Sequence, residues 1–73
     1  MTLDKVRRGQ KIEILSIPDN TVRMQAIRLG LNEGTHVRCS EIIPKGPVII
    51  QKRMQEIAIG RKLAEKIKIR VLD

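Results

Sequence analysis

No Phe, Tyr or Trp occurs anywhere in this 73-residue sequence, and that absence constrains both fold and function. A hydrophobic core has to be assembled from Ile, Leu, Val, Met and Ala, each well-buried Ile or Leu contributing roughly 1.5–3 kcal/mol. A chain this short is expected to form one domain over residues 1–73, with a stability on the order of 4–11 kcal/mol. The missing aromatics also remove the platforms on which bases of single-stranded nucleic acids are held. The one cysteine, Cys39, excludes an internal disulfide and suits a reducing compartment. No segment reaches the roughly 20 apolar residues that a membrane span needs. Met1-Thr2-Leu3-Asp4 likewise lacks the apolar run of a signal peptide. These features predict a soluble, cytoplasmic protein.

The side chains that carry chemistry are equally sparse. His36 is the one imidazole, so neither Ser16 nor Ser40 has a convincing base beside it. Gly60-Arg61-Lys62 lacks the full pattern of a phosphate-binding loop. His36 and Cys39 stand three residues apart, and an odd separation on a strand sends side chains to opposite faces. A structural zinc site wants four ligands of suitable spacing, and these are the only two soft donors. Cys39 is therefore expected to be a small core residue and His36 a solvated one. No catalytic residue, metal site or cofactor is expected, and the chain is not read as an enzyme.

What the sequence does have is positive charge: 15 Lys and Arg against 8 Asp and Glu, a formal net charge of +7. Such a balance favours acidic partners, whether nucleic acid, anionic lipid or an acidic protein surface. Lys11 to Ile17 carries apolar residues on both faces, Ile12 and Ile14 on one and Leu15 and Ile17 on the other. That pattern predicts a strand that is bent or covered on both sides. Pro18 ends it, because proline cannot donate to a ladder. Asp19-Asn20-Thr21 then offers caps for a short helix, and Gly30 suits its left-handed end, with Leu31 folding back toward Ala26. Asn32-Glu33-Gly34 and Pro44-Lys45-Gly46-Pro47 read as turns. Strands are predicted at Thr35 to Ile43, Val48 to Lys52, Ile57 to Ile59 and from Ile67 to Val71, with a helical turn over Arg61 to Glu65. About five short strands with one short helix after the first favour a mainly β, small barrel, whose closure would remove exposed edges.

The helix carries the functional signal. At about 100° per residue, Val22, Ala26 and Leu29 share one side, and Met24 and Ile27 share the opposite one with Arg23 and Arg28 near the borders. One apolar stripe suffices to seat a helix on a small barrel. The second is either buried in a barrel mouth or left exposed as a docking surface with a basic rim.

The order of these segments resembles the FeoA family. Val22-Arg23 through Gly30-Leu31-Asn32-Glu33-Gly34-Thr35 is similar to that family's short helix, Gly-Leu end and second Gly. Pro44-Lys45-Gly46-Pro47-Val48-Ile49-Ile50 is similar to its turn and following strand, one residue shorter and without an Asp before Pro47. Ile57 to Ile67 is similar to its closing strand, helical turn and final strand, and Leu3 to Gly9 fits its lead-in. The resemblance implies an SH3-like barrel in an accessory protein of ferrous-iron uptake. Its implied partner is the cytosolic domain of the membrane transporter FeoB, which carries a GTPase, and its association with the membrane complex would be peripheral. A similar barrel closes iron-dependent repressors, but no DNA-binding domain precedes it in this sequence, which favours the stand-alone accessory. Partner contacts are assigned to Met24, Ile27 and Leu31, with Arg23 and Arg28 steering association. The alternatives are a basic nucleic-acid-binding barrel, although nucleic acid is not the expected partner, and a metal-sensing module. Self-association is open.

Overall fold

Proline and glycine punctuate the sequence, and the computed structural model, which describes residues 1–72, places most of its breaks between elements at them. A 3-10 turn at Leu3–Lys5 leads into strand β1 (Lys11–Ser16), helix α1 (Asn20–Arg28), and strands β2 (His36–Ile42), β3 (Val48–Lys52) and β4 (Gln55–Ile59). A one-turn helix α2 (Arg61–Ala64) and strand β5 (Lys68–Val71) complete it. All pairings are antiparallel, in the order β4-β3-β2-β1-β5. The fold is mainly β, with five strands and a helix after the first, as expected for a small SH3-like barrel. Extents of 28 × 25 × 23 Å show that the sheet coils around its contents instead of lying flat.

Two irregularities bend the sheet. The register of β1 against β5 shifts between Ile14 and Ser16, and that of β2 against β3 shifts between Cys39 and Glu41. An extra residue on one strand reverses the alternation of faces beyond it and increases the twist. Ile17 is therefore returned to the same interior as Ile12 and Ile14, while Leu15 stays outside. This corrects the reading of β1 as two-faced: Leu15 and Ile17 do not share a side.

The interior is aliphatic, as the missing aromatics require. Ile12, Ile14, Ile17, Ile50, Ile59, Ile67 and Ile69 are buried with Leu3, Leu31, Val48 and Cys39. No polar or charged residue among those described is buried. Cys39 lies inside and His36 outside, on opposite faces of β2.

Closure is incomplete, contrary to the expectation that it would remove the edges. The N-terminal segment covers the edge of β5: the Leu3 N–H donates to the Ile67 carbonyl at 2.9 Å, and the Ile69 N–H donates to the Met1 carbonyl at 2.8 Å. Among the described residues nothing pairs with the outer edge of β4, which exposes Gln55 and Glu56. Charge on an edge strand discourages pairing with a further chain.

Candidate functional site

Helix α1 is fixed at both ends by local chemistry. Asp19 caps its start, its Oδ1 accepting from the Val22 N–H at 3.0 Å. That backbone bond, helped by Lys66 at 3.6 Å, outweighs the opposing effect of desolvation and holds the Asp19 carboxyl below its ordinary pKa. At the other end Gly30 adopts φ +80°, a conformation that side chains with a Cβ rarely take. The Gly30 N–H donates to the Ile27 carbonyl and the Leu31 N–H to the Ala26 carbonyl, both at 2.9 Å. This crossed pair closes a Schellman motif and turns Leu31 inward. Lys52 Nζ then donates to the Gly30 carbonyl at 2.7 Å, tying the helix end to β3.

So anchored, α1 buries Val22 and Ala26 against the sheet. Met24 and Ile27 point outward, 61% and 52% exposed. The choice between two buried stripes and one is thus decided for exposure. Leu29 departs from its expected place on the inner side: it is the residue that leaves the helix, and it is partly exposed. Beside Ile27 runs a groove of 260 Å³ that Ile17, Arg23, Leu31, Asn32 and Glu33 help to line.

Of the five residues expected to meet a partner, Met24, Ile27 and Arg28 lie exposed on α1. Leu31 does not belong with them. It is completely buried, because the bond that closes the helix end draws it into the core, so it supports the patch from beneath. Arg23 is half committed to the fold: its Nε donates to the Ile17 carbonyl at 3.0 Å, and its guanidinium stands 4.0 Å from the Glu33 carboxylate. Arg28 makes no hydrogen bond or ion pair among the described residues, which leaves its charge available. The roles of Lys52 and Glu33 were not legible from sequence, since both partners lie far along the chain and neither position carries a local signal.

Elsewhere several polar groups serve the fold. Ser40 Oγ donates to the Ile49 carbonyl at 3.3 Å, and Arg61 reaches the carbonyls of Gly46 and Ile43 at 3.0 and 3.1 Å, clamping the β2–β3 turn. Among the described residues no three His, Cys, Asp or Glu side chains gather closely enough to hold a metal ion. No helix among them is long and apolar enough to cross a membrane.

The sequence pattern of the FeoA domain matches residues 1–71. The solved structure of an iron uptake regulatory protein (FeoA) superimposes with a TM-score of 0.89 at 29% identity, covering 99% of this chain and 97% of that one. FeoA protein from Chlorobium tepidum gives a TM-score of 0.83 at 25% identity, covering 100% of this chain and 71% of that one. MtsR, a metal-dependent transcriptional regulator, gives 0.87 at 16% identity, with 99% of this chain matched to 34% of the regulator. At that identity the fold alone is shared. No curated protein matches the sequence significantly.

Proposed function

The chain belongs to the FeoA family, and from that premise we propose that it is a cytoplasmic accessory protein of ferrous-iron uptake. It docks on the cytosolic, GTPase-bearing part of a FeoB-type transporter and modulates that transporter's assembly or activity. It works by binding, not by turnover. The observation that carries this reading is the outward stripe of Met24 and Ile27 on a helix whose other side already seats it on the barrel. An apolar stripe beyond what the fold needs, on a rigidly capped helix, is what a partner's apolar surface would cover. Similarity to an iron uptake regulatory protein supports the link to iron uptake.

The contacts divide the work. Met24 and Ile27 supply the apolar centre, and Arg28, with the net charge of +7 behind it, steers an acidic partner toward the patch. Arg23 holds the groove beside them in shape, and Leu31 backs it from the core. Copies of so positive a chain repel one another, which favours a distinct acidic partner over self-association. Nucleic-acid binding is the weaker reading, because the chain offers no aromatic ring for bases to stack on.

A binding titration against the purified cytosolic domain of a FeoB transporter tests this, with random-sequence RNA and DNA in parallel over a salt series. Saturable binding to the transporter domain near physiological salt supports docking. Binding to nucleic acid alone, falling steeply with salt as counterions are released, overturns it.

A further inference from the structure

The β3–β4 turn departs from the usual chemistry of such turns. The two strands pair in unbroken register from Val48 opposite Ile59 to Lys52 opposite Gln55, which leaves Arg53 and Met54 as the connection. A hairpin loop of that length places one or both of its residues at positive φ, where Gly, Asn and Asp cost least. Here Arg53 takes φ +57°, a conformation that a residue with a long side chain adopts at a cost. Met54 follows it and is 99% exposed, more than any other large hydrophobic residue of the chain. At that exposure Met54 adds nothing to the core. Neither side chain is explained by the fold, and local rules are most often broken at functional sites.

The tip is held in place from several sides. The ladder runs to its base, and the Gln51 side chain donates to the Arg53 carbonyl at 3.3 Å. The bond from Lys52 Nζ to the Gly30 carbonyl draws the end of α1 to the same end of the barrel. That helix end adds Arg28, which is exposed, and Leu29, which is 38% exposed. No Asp or Glu occurs from Asn20 to Asn32 or from Ile42 to Gln55. Of the acidic residues that follow these stretches, Glu33 stands 4.0 Å from Arg23, and Glu56 lies back from the tip, opposite Gln51. One end of the molecule thus carries Arg28 and Arg53 together with exposed Leu29 and Met54.

We propose that this tip touches an anionic bilayer surface, with Met54 entering the headgroup layer and Arg53 and Arg28 meeting lipid phosphates. A bilayer sets an anionic layer over an apolar one, which an apolar end flanked by cations matches. Methionine is unbranched and flexible, and it enters such a layer without a shaped pocket. An arginine keeps its aliphatic stem in apolar surroundings and its head at the phosphate. An acidic protein surface would supply the charge but would need a cavity for Met54. The net charge of +7 draws the whole chain toward an anionic leaflet. One apolar side chain and two cations make a weak, reversible contact. Such a contact orients a protein that another partner also holds near the membrane. It needs lipid alone, so it stands whether or not α1 docks on a transporter.

With no tryptophan in the chain, Met54→Trp gives the full-length protein a single fluorescent reporter. Its emission should shift to the blue with vesicles of phosphatidylcholine and phosphatidylserine, and not with phosphatidylcholine alone. Met24→Trp, on the outward face of α1, should shift with neither. Because tryptophan itself favours the interface, co-sedimentation of the parent chain with the same vesicles is read alongside. There Met54→Ser and Arg53→Gly should each lower partitioning about fivefold. Arg53→Gly should do so without lowering the melting temperature, since glycine takes φ +57° freely, and a purely structural Arg53 would not give that pairing. Lys62→Gln, beyond the far end of β4, should change partitioning by less than about twofold. An unshifted Met54→Trp, equal binding to both kinds of vesicle, or an equal loss in Lys62→Gln would overturn the site. So would a shift produced by the transporter's cytosolic domain and not by vesicles, which would give the tip to a protein.

Discussion

The two faces of α1 are built from the same kinds of residue and obey opposite rules. Inward, Val22 and Ala26 meet an aliphatic interior, where Ala26 is completely buried. Outward, Met24 and Ile27 meet water. Hydrophobicity alone does not distinguish them. Position against the caps does, since Asp19 and Gly30 fix which side of a nine-residue helix turns to the sheet. The lesson is that the inner face determines whether the protein exists as a fold, and the outer face determines only what it meets.

Substitutions can break this contrast at graded cost. Ala26→Asp places a carboxylate at a completely buried position in an aliphatic core and should remove most of a stability of about 4–11 kcal/mol. Circular dichroism should find the variant largely unfolded at ambient temperature. Leu31→Ala should cost about 2–5 kcal/mol, as large-to-small changes in a buried aliphatic site do. Urea unfolding would read this as a lower midpoint at unchanged slope. A midpoint within error of the parent would mean that Leu31 is not the interior residue described above.

Asp19→Ala should have a smaller effect, and one that depends on pH. The folded carboxyl titrates below its ordinary value, so its contribution is fully present above the unfolded pKa and is lost as pH falls through the lowered folded one. The parent should therefore lose more stability than the variant on acidification, and the two acid-unfolding curves should converge at low pH. Met24→Asp should change stability least, within about 0.5 kcal/mol as expected of an exposed position, while weakening transporter binding tenfold or more. Normal binding by that folded variant would move the docking surface off α1.

Much of this architecture was legible in the sequence because its punctuation is local. Pro18-Asp19 starts α1 and Gly30-Leu31 stops it within a few residues, and the alternation in β2 and β5 follows from their own sequences. The two stripes of α1 were visible for the same reason. What escaped was whatever depends on register between distant segments. The shift in β1 that separates Leu15 from Ile17 is set by its pairing with β5, more than fifty residues away. Leu31 was assigned both to the helix end and to the partner surface, and the backbone bond that closes the helix decides between them. Arg23 read as a free cation because its acceptors, the Ile17 carbonyl and Glu33, lie across the groove.

The enclosure of Cys39 gives the protein a built-in clock. Its sulfur is completely buried on β2, and desolvation raises the thiol's pKa, with only the Glu41 carbonyl, 3.7 Å away, acting against the rise. The thiolate is the species that reacts with alkylating and disulfide reagents, and in the folded protein it is both scarce and out of reach. Reaction therefore waits for the strands around it to separate. With one thiol in the chain, the rate at which a reagent labels this protein measures how often the barrel opens, without any tag or mutation.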